Sequence, residues 1–112
     1  MKNKNENYLD KIPTKPEGLD WSVDSEGIVT LNIENKGLFN KIAQKLFKKP
    51  KISYVHLDEN GSFVWQKIDG MLSVSDIGVL VEVHFGEAAQ PTYERLAKYF
   101  AILSSYGFVN FK

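Results

Sequence analysis

Between Leu57 and Gly70 the chain reads Leu-Asp-Glu-Asn-Gly-Ser-Phe-Val-Trp-Gln-Lys-Ile-Asp-Gly, and this stretch constrains the fold most. A strand ends at Leu57. Asp58 stands where a helix starts, and its carboxylate can accept hydrogen bonds from the free N–H groups of the first turn. Phe63, Val64 and Ile68 recur at helical spacing, and Trp65 adds a large apolar surface to bury. Asp69-Gly70 is a stop, because glycine tolerates the left-handed conformation that ends helices. The expectation is strand, short amphipathic helix and tight stop, anchored on a buried Trp65.

A chain of 112 residues has room for one core. Lysine plus arginine equals aspartate plus glutamate at 14 each. Dedicated nucleic-acid binders are usually basic, so this balance disfavours that class. The absence of cysteine excludes disulfides, thiol catalysis and thiolate-bound zinc. No apolar run reaches membrane-spanning length, and the polar start Met-Lys-Asn-Lys-Asn-Glu-Asn is not a signal peptide, so a cytoplasmic location is expected. Charge is nevertheless segregated. Residues 1–57 hold ten basic and seven acidic side chains, and residues 58–112 hold four and seven.

Residues 1–18 are polar, with Pro13, Pro16 and Gly18 close together, and read as a flexible N-terminal arm ahead of a domain over 19–112. Ile12 could dock on the body. Trp21–Asp24 alternates, Ser25-Glu26-Gly27 is a turn, and Ile28–Ile33 is β-rich, which together make a hairpin. In residues 37–49, Phe39, Ile42, Ala43, Leu46 and Phe47 share a helical face opposite lysines. This short basic helix fits a connector packed on the sheet, or a contact with a membrane surface or anionic partner. Ile52–Leu57 is a third strand, with Ile52, Tyr54 and His56 on one face and Ser53, Val55 and Leu57 on the more core-like one.

After Gly70, Ser73 and Asp76 form a capping box for a helix whose apolar face is Val74, Ile77, Val81 and Phe85, joined by Leu80. Gly78 inside it suggests close packing, and Gly86 ends it. Residues 87–90 are a loop, Thr92–Tyr106 is the longest helix, Gly107 stops it, and Phe108–Phe111 is a terminal strand. The order β-β-α-β-α-α-α-β is an α+β, winged helix-turn-helix plan. It comprises a small antiparallel sheet, a three-helix cluster and the extra basic helix.

Chemistry is sparse. His56 and His84 lack a second histidine at ligand spacing, which argues against a metal. His84, near a helix end, could satisfy a terminal carbonyl. Asp58 and Asp69 bracket one helix and read as its cap and turn rather than as paired catalytic carboxylates. Ser62, Ser73 and Ser75 lack a nucleophile-elbow context, and no phosphate loop or dinucleotide fingerprint occurs. The chain reads as a non-enzyme needing no cofactor. The last two helices offer DNA only Arg95 and Lys98 among Asp76, Glu82 and Glu94, too little for phosphate neutralisation. Peptide binding fits better. An open edge on the third strand can take up an extended peptide as an added strand, with Ile52, Tyr54 and His56 beside it. That edge could instead be covered by Phe108–Phe111 or by the N-terminal arm.

From Trp21 to Phe111 the chain resembles the PqqD-like family, small winged-helix domains that recognise precursor peptides in ribosomal peptide modification. The resemblance rests on Asp20-Trp21 with Gly27-Ile28-Val29-Thr30-Leu31, on Val55-His56-Leu57-Asp58-Glu59-Asn60-Gly61-Ser62, and on Val64-Trp65 with Ile68-Asp69-Gly70. Ser73-Val74 with Ile77, and Glu94-Arg95-Leu96 through Gly107-Phe108-Val109, complete it. It implies a stand-alone binder of a leader peptide that presents it to a modifying enzyme, such as a radical-type maturase. The leader would add to the strand Ile52, Ser53, Tyr54, Val55 and His56, and pack on Arg95, Tyr99 and Ile102 of the long helix. The basic helix over 37–49 departs from the minimal domain of that family. The alternatives are a regulatory winged helix against DNA or another protein, and a self-associating scaffold, a homodimer paired through the edge.

Overall fold

The computed structural model describes residues 8–34 and 52–112. The lysine-rich helix expected over 37–49 lies outside the described residues, as do residues 1–7. Among the described residues the strands are β1 (Pro13–Thr14), β2 (Asp20–Val23), β3 (Val29–Glu34), β4 (Ile52–His56) and β5 (Asn110–Phe111). The helices are α1 (Glu59–Lys67), α2 (Val74–Phe85) and α3 (Thr92–Ser105), with a 3-10 turn over Gly86–Ala89. The described residues are thus α+β, with small antiparallel sheets and the three helices α1–α3.

The hairpin forms where the turn chemistry demands it. Asp24 Oδ1 accepts from the N–H groups of Glu26 (2.8 Å) and Ile28 (3.0 Å). Gly27 then supplies the left-handed residue, φ 84°, that returns the chain into β3. β3 is the central strand of an antiparallel sheet ordered β2-β3-β4, with Trp21 opposite Leu31 and Leu31 opposite Val55. Val29 and Leu31 bury one face of this strand, and Thr30 and Asn32 turn to the other.

Part of the lead-in, read from the sequence as an arm, lies against the body of the protein. β1 pairs with β5, Pro13 opposite Phe111. The Lys112 N–H donates to the Ile12 carbonyl at 2.9 Å, and the Val74 N–H to the Lys11 carbonyl at 2.9 Å. The Tyr8 ring meets Phe111 edge-on at 5.4 Å. Sequence pattern misses this because a two-residue strand built around a proline carries no alternation.

Helix α1 begins as expected, Asp58 Oδ1 accepting from the Gly61 N–H at 2.7 Å. Its end differs from expectation. The helix stops at Lys67, and Ile68 is already extended, φ −74° and ψ 107°. Gly70, φ 79°, belongs to the following turn. Asp69 Oδ1 holds that turn by accepting from the N–H groups of Met71 and Leu72, each at 2.9 Å. Helix α2 carries the expected capping box, Ser73 and Asp76 exchanging hydrogen bonds at 3.1 and 3.0 Å. A Cβ on Gly78 would run into the Tyr93 ring of α3, so the missing side chain is what lets these two helices approach. Gly107, φ 77°, ends α3, with Phe108 N–H bonded to the Leu103 carbonyl at 2.8 Å.

The core gathers Val29 and Leu31 from the sheet, Val64, Trp65 and Ile68 from α1, and Ile77 and Val81 from α2, with Leu96 and Phe100 from α3. Trp65 is fully buried and meets Trp21 edge-on at 6.2 Å. Lys15 lies over the Trp21 ring at 4.4 Å, and burial lowers its pKa against the opposing pull of Asp69.

Candidate functional site

The ladder between β3 and β4 fixes what β4 offers outward. The Leu57 N–H donates to the Val29 carbonyl at 2.9 Å. That hydrogen-bonded pair sets the alternation, so Val55 and Ser53 bond toward β3. The backbone groups of Ile52, Tyr54 and His56 therefore point away from β3. Among the described residues β4 pairs only with β3. Of the two candidates for covering this edge, Phe108–Phe111 and the described part of the N-terminal segment meet each other, through β5 and β1.

Side chains along β4 alternate as expected. Tyr54 is 63% exposed, and His56 is exposed beside it. His56 Nδ1 and Thr30 Oγ1 share a hydrogen bond of 2.8 Å on this outer face. Ser53 and Val55 turn to the other face and are half-buried.

β4 runs through Leu57 into Asp58, and Asp58 forms one wall of an open cleft of about 140 Å3. The opposite wall is α3, with Arg95, Leu96 and Tyr99. Val64 and Val81 contribute apolar surface. Tyr99 closes one end by donating its hydroxyl to the Gly61 carbonyl at 2.9 Å. Burial, and then the nearby Asp58 carboxylate, raise the Tyr99 pKa well above the usual tyrosine range, so the phenol is a donor at neutral pH. The Arg95 guanidinium donates through Nη1 to the Ala88 carbonyl at 2.9 Å, which holds it at the rim.

Of the α3 residues expected at the site, Arg95 and Tyr99 line the cleft together. Ile102 lies on the same helical face one turn further along, 50% exposed and outside the cleft. Sequence reasoning missed Gly61 as a wall of the cleft. The signal was a glycine in the first helical turn. A Cβ there would lie 3.0 Å from Asp58 Oδ1 and 3.1 Å from Tyr99 Cε1. The His84 ring, near the end of α2, stacks on Phe63 with centroids 4.4 Å apart. Among the described residues no group of three metal-ligating side chains occurs, and no helix is long and apolar enough to cross a membrane.

Fold and cleft together define a small α+β domain in which a sheet edge and a helical cleft lie end to end. The chain belongs to the PqqD family: the family model for Coenzyme PQQ synthesis protein D (PqqD) matches residues 27–109, a range that includes β3, β4 and all three helices. Proteins of that family bind precursor peptides and are non-catalytic. No curated protein and no solved structure matches the chain.

Proposed function

We propose that this protein is an adaptor that binds a precursor (leader) peptide by strand addition to β4 and presents it to a modifying enzyme, such as a radical-type maturase. The observation that carries this reading is the outward backbone edge of Tyr54 and His56 leading into the Asp58–Arg95–Tyr99 cleft. Main-chain hydrogen bonds along the edge supply affinity, and a side chain entering the cleft supplies selectivity. Ile102 extends the contact along α3. In this reading the helices and hairpin form a winged helix-turn-helix whose work is peptide capture, and the chain itself carries out no reaction.

The test is a titration of labelled protein with leader peptides encoded near its gene, followed through backbone amide shifts. Shifts at residues 52–57 and along 92–106 are expected. Replacing Tyr54 by proline removes one outward donor and disturbs the strand. Peptide binding that survives Tyr54→Pro in a folded protein would overturn strand addition.

A further inference from the structure

Asn60 and Gly61 form the only Asn-Gly pair in the sequence. Such a pair loses ammonia readily, because a glycine without Cβ leaves its backbone nitrogen open to attack the neighbouring carboxamide. Here it stands in the first turn of α1. Both residues line the cleft, Asn60 half-buried and Gly61 buried. The glycine is not freely exchangeable: a Cβ at position 61 would crowd both Asp58 Oδ1 and the Tyr99 ring. The packing that shapes the cleft therefore imposes the reactive pair.

The same packing holds the pair closed. Ring closure needs the Gly61 nitrogen to reach Asn60 Cγ, and the helical ψ of Asn60 keeps the two apart. Leaving that ψ breaks the Gly61 N–H bond to Asp58 Oδ1, 2.7 Å, and the Ser62 N–H bond to the Asp58 carbonyl, 2.8 Å. The Gly61 carbonyl is tied in turn to the Tyr99 hydroxyl. We propose that Asn60 is a deamidation site gated by the Asp58 cap, closed while the first turn of α1 is formed and reactive when that turn opens. In the open turn the Gly61 nitrogen attacks Asn60 Cγ. The N–Cγ bond forms, the Cγ–Nδ2 bond breaks, and the side-chain nitrogen leaves as ammonia, its extra proton balancing the one lost from the Gly61 amide. Water then opens the succinimide. Opening at the side-chain carbonyl leaves an aspartate. Opening at the main-chain carbonyl leaves an isoaspartate, whose backbone runs through Cβ. Either product adds a carboxylate to the cleft wall that already carries Asp58. The isoaspartate also lengthens the turn by a methylene, which parts Gly61 from Asp58 and Tyr99. Under the peptide-binding reading, on which this one consequence rests, the modified cleft loses leader affinity irreversibly.

Incubation of the full chain at mildly alkaline pH tests the site, with mass spectrometry of the tryptic peptide 52–67, in which Asn60 is the sole asparagine. The readout is exchange of NH for O and needs no peptide ligand. Slow conversion is expected in the folded protein and fast conversion in urea. Asp58→Ala removes the cap and should convert about fivefold faster than wild type, the factor that one lost N-cap gives to local opening. Asp58→Asn keeps a capping side chain and should stay near the wild-type rate. In the wild type, conversion should rise in step with hydrogen exchange of the Gly61 amide at urea concentrations below unfolding, a measurement that stands even where Asp58→Ala fails to fold. Equal rates in folded and unfolded chain would overturn the gate, as would a folded Asp58→Ala protein no faster than wild type, or conversion independent of Gly61 exchange. No conversion in the unfolded chain would overturn the site itself. A failure of leader binding alone would overturn the peptide-binding reading and leave the deamidation result standing.

Discussion

The hydroxyl of Tyr99 donates to the carbonyl of Gly61 at 2.9 Å across 38 residues of sequence, tying the middle of α3 to the first turn of α1. Both residues line the same cleft, so this bond sets the distance between its walls. Tyr99→Phe keeps the ring and removes the donor. The expected cost is about 1 kcal/mol in urea denaturation, typical of one hydrogen bond. In the proposed role, leader affinity falls as well, because the cleft loses its fixed width. Unchanged affinity beside reduced stability would show that the bond serves the fold alone.

A second prediction concerns the contact between Gly78 and Tyr93. Alanine is normally favoured over glycine inside a helix by about 1 kcal/mol. Here the added methyl would strike the Tyr93 ring, and overpacking of that kind costs about 1–3 kcal/mol. Gly78→Ala is therefore expected to lower stability despite its better propensity. In a Tyr93→Ala background the same change should become stabilising. A double-mutant cycle measures the coupling, and additive effects would refute the clash.

Ser62 completes the end of the sheet. Its Oγ accepts from the Val29 N–H at 2.8 Å and donates to the Leu57 carbonyl at 3.3 Å, so one buried hydroxyl stands in for a direct ladder bond. Ser62→Ala leaves the Val29 N–H without that acceptor in a fully buried place, at a cost of about 1–3 kcal/mol. Hydrogen exchange should show the Val29 amide losing protection before its neighbours in β3.

The carboxyl of Asp69 is held below the usual carboxylate range by the Leu72 and Met71 amides, with Lys112 a weaker contributor. A folded-state pKa below the unfolded one means that the folded protein favours the ionised form. The resulting stability is complete above the unfolded-state value, 3.8, and is lost as pH falls through the lower folded value. Asp69→Ala should thus destabilise the protein at neutral pH, with the gap to wild type narrowing in strong acid. A gap that is constant with pH would assign the effect to turn geometry rather than to charge.

Much of this architecture was legible in the sequence because it rests on local chemistry. Asp58 and the Ser73–Asp76 box satisfy backbone groups within a few residues of themselves, and each reads directly from residue type and spacing; the turn over Ser25–Gly27 was read as well, but not the Asp24 carboxylate that holds it. The burial of Trp65 followed from its place on an apolar helical face. The β1–β5 ribbon was hidden because two-residue strands have no period, and a proline argues against a strand. The end of α1 was read one residue late, at Ile68 rather than Lys67, and Gly70 does adopt a left-handed conformation, but in the turn that Asp69 organises rather than as the helix cap. At the cleft, Arg95 and Tyr99 came from family resemblance. That Tyr99 faces Gly61 is a long-range fact, and pattern could only hint at it through a glycine in a helix.

The Ser62 hydroxyl has one more consequence. By clamping Val29 to Leu57 it locks the sheet in a single frame, because a slip of one residue would turn every side chain of β4 over. In the proposed role it would decide in advance which alternate residues of β4 an added strand reads. A peptide shifted by one position would present the wrong half of its side chains. Under strand addition the serine would act as a frame marker, and the selectivity of the edge would be a matter of phase as well as of chemistry.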